Sequence, residues 1–191
     1  EDPLTFSARY SGYLGKDILA DIREKFGYPL DEAYEQKIMR EMEKDFDQML
    51  VPVSGMPELV RTLPLPTSVV SNSQHHHVMR SLDLTGLQSF FSQTFSKDMV
   101  EHGKPAPDLY LLALKSLKLK PTEAMVIEDS EAGVQAAKAA GLEVIGFLGA
   151  SHISEGHGER LLQKGADHIA ENAADLARLL EHRLDFPEST V

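Results

Sequence analysis

Apolar side chains recur along the first fifty residues with helical spacing. Ile18, Leu19, Ile22 and Phe26 fall at i, i+1, i+4 and i+8, which predicts a helix over 16–26 that Gly27-Tyr28-Pro29 ends. A second helix is predicted over 31–49, with Ile38, Met42, Phe46 and Met49 along one side and charges on the rest, the acidic ones reading as a solvated face. The texture changes at Val51-Pro52-Val53-Ser54-Gly55. Beyond it, β-branched and apolar runs predict strands over 67–70, 93–95, 124–127, 143–147 and 167–170. Helical segments are predicted between them over 57–62, 74–81, 85–88, 107–117, 131–140, 161–164 and 173–182, with Gly141 closing the one before it. Alternating strands and helices imply an α/β fold, a doubly wound parallel sheet with helices on both faces. The chain therefore divides into a helical segment, residues 1–51, and an α/β segment, residues 52–191. Sheets of this kind place ligands at the carboxyl ends of their strands.

Composition narrows the function. The 191 residues are long enough for one domain with a small accessory lobe. The net charge of −11 opposes binding to polyanions, so nucleic acid is not an expected partner. With no cysteine there is neither a disulfide framework nor a thiolate metal site. No apolar run approaches the roughly 18 residues a membrane span needs. Glu1-Asp2-Pro3 is unlike the basic start of a signal peptide. The expectation is a cytoplasmic protein without membrane partners, a monomer or weak homodimer.

Three polar clusters stand at strand ends or in the loops beside them. Ser71-Asn72-Ser73 follows the first strand and precedes a helix, where hydroxyls and backbone N–H groups can face an anion, although such residues are also ordinary helix caps. Lys104 lies in Gly103-Lys104-Pro105-Ala106-Pro107-Asp108, where two prolines stiffen the backbone ahead of a helix and fix an ammonium that can pair with phosphate or carboxylate. On this reading Lys104→Met, which keeps the aliphatic stem, costs little folding stability. Glu128-Asp129 ends an apolar strand and leads into Ser130-Glu131-Ala132-Gly133. Adjacent carboxylates there suit Mg²⁺, a hard cation that takes oxygen ligands, and Ser130 can cap the following helix without them.

The order Ser71, Lys104, Glu128-Asp129, together with the Gly165-Ala166-Asp167-His168-Ile169 tail, resembles the haloacid dehalogenase-like superfamily, most closely its β-phosphoglucomutase-like branch of sugar-phosphate phosphatases and mutases. The resemblance implies phosphoryl transfer through an aspartyl-phosphate. Ser71 and Lys104 would be catalytic and would hold the phosphoryl group with Asn72 and Ser73. Glu128 and Asp129 would hold Mg²⁺, and residues 1–51 would form the helical cap. Within Gly12-Tyr13-Leu14-Gly15-Lys16-Asp17, where cap residues of that branch meet substrate, Lys16 is the candidate phosphate contact. The arginine that mutases of the branch tend to carry there is absent.

One motif of the family is missing. Its Asp-x-Asp-x-Thr nucleophile sequence occurs nowhere in these residues, and Asp45-Phe46-Asp47 lies inside a predicted helix with no strand before it. The resemblance then implies an upstream strand and catalytic loop, with an incomplete cap and an incomplete sheet here. The expected function is Mg²⁺-dependent hydrolysis of a small phosphorylated metabolite. A phosphomutase, or a phosphate-binding regulatory protein without a nucleophile, are the alternatives. His75-His76-His77 reads as an exposed first helical turn, because consecutive helical positions diverge by about 100° and rarely share one ion.

Overall fold

The computed structural model describes residues 20, 21, 23–25, 27 and 32–184. Two compact units divide at Val51 and Pro52. In the first, α1 (Glu32–Met49) is a helix of 18 residues. Ile38 is half-buried on it and Met49, in the last turn, is exposed. Most of the helix predicted over 16–26 lies outside the described residues.

The second unit runs α2 (Met56–Thr62), β1 (Ser68–Ser71), α3 (His75–Leu84), β2 (Gln93–Ser96), α4 (Asp108–Leu117), β3 (Met125–Glu128), α5 (Glu131–Ala139), β4 (Glu143–Phe147), α6 (His157–Gln163), β5 (His168–Ala170) and α7 (Ala173–Leu184). It is the α/β alternation that the hydrophobic pattern predicts, with all strand pairs parallel. Side-chain alternation along the strands puts helices on both faces. Val144 packs with Tyr110, Leu114, Val134 and Leu161 from α4, α5 and α6. Its neighbours Ile145 and Phe147 pack the other way, against Leu176 and Leu180 of α7 and Met56 and Leu59 of α2. On β1, Val69 joins Val78 and Leu82 of α3, while Val70 joins Leu109 and Ala113 of α4.

The strands form two ladders, β1-β2 and β3-β4-β5. Among the described residues, β1 and β3 are each paired on one edge alone. Ile127, an apolar residue inside β3, is consequently 40% exposed. That exposure is unusual for a strand flanked by helices and marks the free edges of β1 and β3 as open.

Two segments differ from the sequence reading. Residues 85–88 do not form a helix of their own. Gly86, with φ 65°, closes α3, Leu87 N–H returns to Leu82 O at 2.9 Å, and a 3-10 turn follows at Gln88–Phe90. Helix α6 starts four residues before the predicted one, because its first turn carries His157 and Arg160, polar side chains that escape a hydrophobic-periodicity reading.

Asp167, just before β5, ties three elements together. Its carboxylate accepts from Val144 N–H at 2.8 Å and from Lys138 Nζ at 2.7 and 2.9 Å. Burial raises this carboxyl, but the Lys138 and Val144 hydrogen bonds outweigh it and hold the group below its ordinary 3.8. A depressed acid stabilises the fold fully above its ordinary pKa, and that stabilisation is lost as pH falls through the lower folded value. Asp167→Asn is expected to lower the melting midpoint at neutral pH and to flatten its decline below pH 3.8. Superimposable acid limbs in thermal melts of the two proteins would contradict this assignment.

Candidate active site

The carboxyl ends of β1 and β3 meet at one ammonium. Lys104 Nζ donates to Val70 O, the carbonyl preceding Ser71, at 2.9 Å, and to Glu128 Oε1, the carboxylate preceding Asp129. Both side chains of that pair are 7% exposed. The ammonium also lies 5.0 Å from the Tyr110 ring centroid. Of its three donors, two are used by these contacts, which leaves one for a ligand. Lys104 is therefore a buried strut across the two ladders rather than a surface lysine. The expectation that it can be replaced with little loss of stability does not survive, because removing one member of a buried pair strands the other.

The loop that presents Lys104 is held by Asn72. The Asn72 amide accepts from Lys104 N–H at 2.8 Å and donates to Lys104 O at 2.9 Å. A Cβ on Gly103 would lie 2.6 Å from Asn72 Oδ1, so this approach requires glycine. Asn72 thus couples the loop after β1 to the lysine loop, and the Lys104–Pro105 peptide bond is cis. Ser71 Oγ accepts from Ser73 N–H at 3.1 Å, and the triplet turns into α3. Asp98 caps α3 by accepting from His75 N–H at 3.0 Å, a partner 23 positions away that no local motif announces. His76 is exposed as expected, while His75 and His77 are half-buried.

Glu128 has every oxygen engaged. Oε1 accepts from Lys104 and from Tyr110 OH at 2.6 Å, and Oε2 from Ser130 OH at 3.0 Å. Burial, and then the Glu128 charge, push the Tyr110 phenol far above its ordinary range, so it stays protonated and donating. Ser130 also caps α5, its Oγ accepting from Gly133 N–H at 3.0 Å, as the sequence suggested. A Cβ on Gly133 would come within 2.0 Å of the Glu128 carboxyl carbon. Alanine normally stabilises a helix interior relative to glycine by about 0.5–1 kcal/mol. Here Gly133→Ala is expected to do the opposite, displacing a carboxylate pinned by three donors. Its measured signature is a lowered melting midpoint together with lost activity, and an unchanged or raised midpoint would refute the contact.

Asp129 is the open carboxylate, 41% exposed, with His152 Nε2 3.6 Å from its Oδ2. Burial and then the Glu128 charge raise it above the ordinary range, opposed by His152 and Lys104. Its backbone carbonyl accepts from His157 at 2.6 Å. An all-oxygen pair carrying excess negative charge suits a hard divalent cation. Among the described residues no group of three His, Cys, Asp or Glu is arranged to hold a metal, so the acids would need water, phosphate or a further residue to complete a shell. Lys16 lies outside the described residues. Tyr110, His152 and His157 were not singled out by the sequence reading. The first lies inside the helix predicted over 107–117 with no motif of its own, and the two histidines sit in a loop and a helix turn without a motif.

A parallel α/β core thus carries a buried lysine, a serine turn and paired acids at its strand ends. The chain belongs to the haloacid dehalogenase-like hydrolase family, whose model matches residues 8–147. It is 31% identical over 138 residues to the phosphorylated carbohydrates phosphatase of Thermotoga maritima, covering 71% of this chain and 62% of that protein's length. A haloacid dehalogenase-like protein from Agrobacterium tumefaciens superposes with a TM-score of 0.80 at 28% identity, covering 96% of this chain and 84% of that one. A family hydrolase from Deinococcus radiodurans, solved with bound phosphate and sodium, gives 0.72 at 25% identity over 92% and 79% of the two chains.

Proposed function

We propose that the protein is a Mg²⁺-dependent phosphatase acting on a small phosphorylated metabolite, with a sugar phosphate as the substrate class. The observation that carries this reading is the buried Lys104 ammonium joining the carboxyl ends of β1 and β3 beside an open Asp129. Family membership and the relative that acts on phosphorylated carbohydrates support it.

On this reading Lys104 uses its third N–H, with the Ser71 hydroxyl and the Asn72 backbone N–H, to hold the phosphoryl oxygens, while Ser73 N–H holds Ser71 Oγ in place. Asn72 keeps Lys104 in place through both of its amide contacts. Asp129, with Glu128 behind it, would hold Mg²⁺, which when bound offsets charge on the phosphoryl group. The attacking carboxylate is assigned to a segment outside these 191 residues, seated between the open edges of β1 and β3. Its oxygen bonds phosphorus as the substrate's ester oxygen departs with a proton. Water then cleaves the acyl phosphate, returning the carboxylate and releasing inorganic phosphate. Residues 1–51 would belong to the helical cap domain, with Lys16 as a candidate phosphate contact, and the cytoplasm is the compartment that fits the composition.

The test is hydrolysis of a generic aryl phosphate by the full-length polypeptide, with and without Mg²⁺. Metal-dependent release of inorganic phosphate is expected. Phosphate binding without turnover would favour the regulatory alternative.

A further inference from the structure

Helix α6 is strapped to the β3–α5 turn through one histidine. His157 Nε2 lies 2.6 Å from Asp129 O, and its Nδ1 lies 3.0 Å from an Arg160 guanidinium nitrogen. A guanidinium only donates, so Nδ1 accepts and the ring proton resides on Nε2, aimed at the Asp129 carbonyl. Arg160 is itself anchored, 3.2 Å from Glu131 Oε1, 2.9 Å from Ser154 Oγ and 3.2 Å from Glu155 O. Lys164, one turn on, lies 3.7 Å from Glu131 Oε2. Because Glu131 opens α5 two residues after Asp129, the chain of contacts closes on itself. It runs from the Asp129 peptide through His157 and Arg160 back to the start of α5.

We infer that His157 is a positioning residue for Asp129, and that Arg160 sets the ring tautomer this requires. The inference rests on the metal-binding reading of Asp129. An acid next to the Glu128 charge gains by turning away from it unless its peptide is fixed. Asp129 is a single residue between the last residue of β3 and the Ser130 cap of α5. The strand end and the cap fix its neighbours, and His157 fixes its carbonyl, so the direction of its Cα–Cβ bond is set before any ligand arrives. Between them, His157 and Arg160 contact the Asp129 carbonyl, Glu131, Ser154, Glu155 and each other. Their effect passes through one peptide group, as partners behind a metal ligand do.

The experiment reads Mg²⁺ affinity by calorimetry on the full chain without substrate, together with ring ¹⁵N shifts of His157. His157→Leu is expected to weaken Mg²⁺ binding by about 10- to 100-fold. His157→Gln, whose amide N–H reaches the same carbonyl, restores most of that loss, whereas the shorter His157→Asn does not. Arg160→Met is expected to shift the tautomer and to weaken binding less than His157→Leu. The Gln and Asn pair carries the test if the Leu variant fails to fold. A merely structural role would lower the melting midpoint in all three His157 variants while leaving Mg²⁺ affinity alone, and that pattern overturns the inference. So does a wild-type ring carrying its proton on Nδ1. A wild-type chain that binds no Mg²⁺ defeats the metal reading of Asp129 itself, an outcome distinct from normal binding in every His157 variant.

Discussion

Lys104→Met is expected to lose turnover by about 10²- to 10³-fold, the effect of removing one preorganised donor from a charge-stabilising site, and to lose folding stability as well. The second loss follows from burial. With the ammonium gone, Glu128 remains 7% exposed with its charge unmatched, and breaking such a pair costs about 3–5 kcal/mol. The bond from Nζ to Val70 O, which links β1 to β3, disappears with it. The double change Lys104→Met with Glu128→Gln leaves no stranded charge, and Gln keeps an acceptor for Tyr110 OH. It should therefore recover part of the stability and none of the turnover. Urea unfolding of the two single variants and the double variant measures the coupling directly. Stability that adds across the pair, or a Lys104→Met protein that unfolds like wild type, would remove Lys104 from the buried strut described above.

Asp129→Asn separates activity from stability in the opposite sense. Turnover is expected to fall by about 10²- to 10⁴-fold and to lose its Mg²⁺ dependence, since Lewis-acid stabilisation of the phosphoryl group supplies several kcal/mol. Folding should be unharmed. The Asp129 carboxyl is raised by burial and by Glu128, so in the metal-free protein its ionised form costs stability. That cost is absent below the ordinary 3.8, grows as pH rises toward the higher folded value, and is constant beyond it. The Asn variant should thus melt at or above the wild-type midpoint at neutral pH without metal, and match wild type in acid. Added Mg²⁺ should raise the wild-type midpoint and leave the variant's unmoved, because a ligand stabilises only the state that binds it. A variant that still responds to Mg²⁺ in both turnover and melting would take the metal away from Asp129.

Much of this was legible along the chain. Strand β4 was predicted at its observed limits, and the other strands to within a residue at each end, because each is a short apolar run bounded by turn residues or a helix cap. The Ser130 cap and the placement of Ser71 and Glu128 at strand ends were equally local facts, carried by residues close together in sequence. The helix predicted over 85–88 failed for a local reason too, since Gly86 in a left-handed conformation ends α3.

What the sequence by itself determined was the α/β alternation, the strand ends and the residue types waiting there, because hydrophobic period and turn chemistry act over a few residues. Only the tertiary structure decided what those residues do to one another. Lys104 and Glu128 are 24 positions apart, Asn72 and the Lys104 backbone 32, and His157 and Asp129 28. Whether an ammonium is solvated or buried depends on which strands and helices close around it, and no window of sequence contains both partners. Packing therefore turned a lysine read as a phosphate or carboxylate partner, replaceable at little cost in stability, into a buried strut. It also engaged both oxygens of Glu128, left Asp129 open beside it, and made a histidine without a motif the anchor of its peptide.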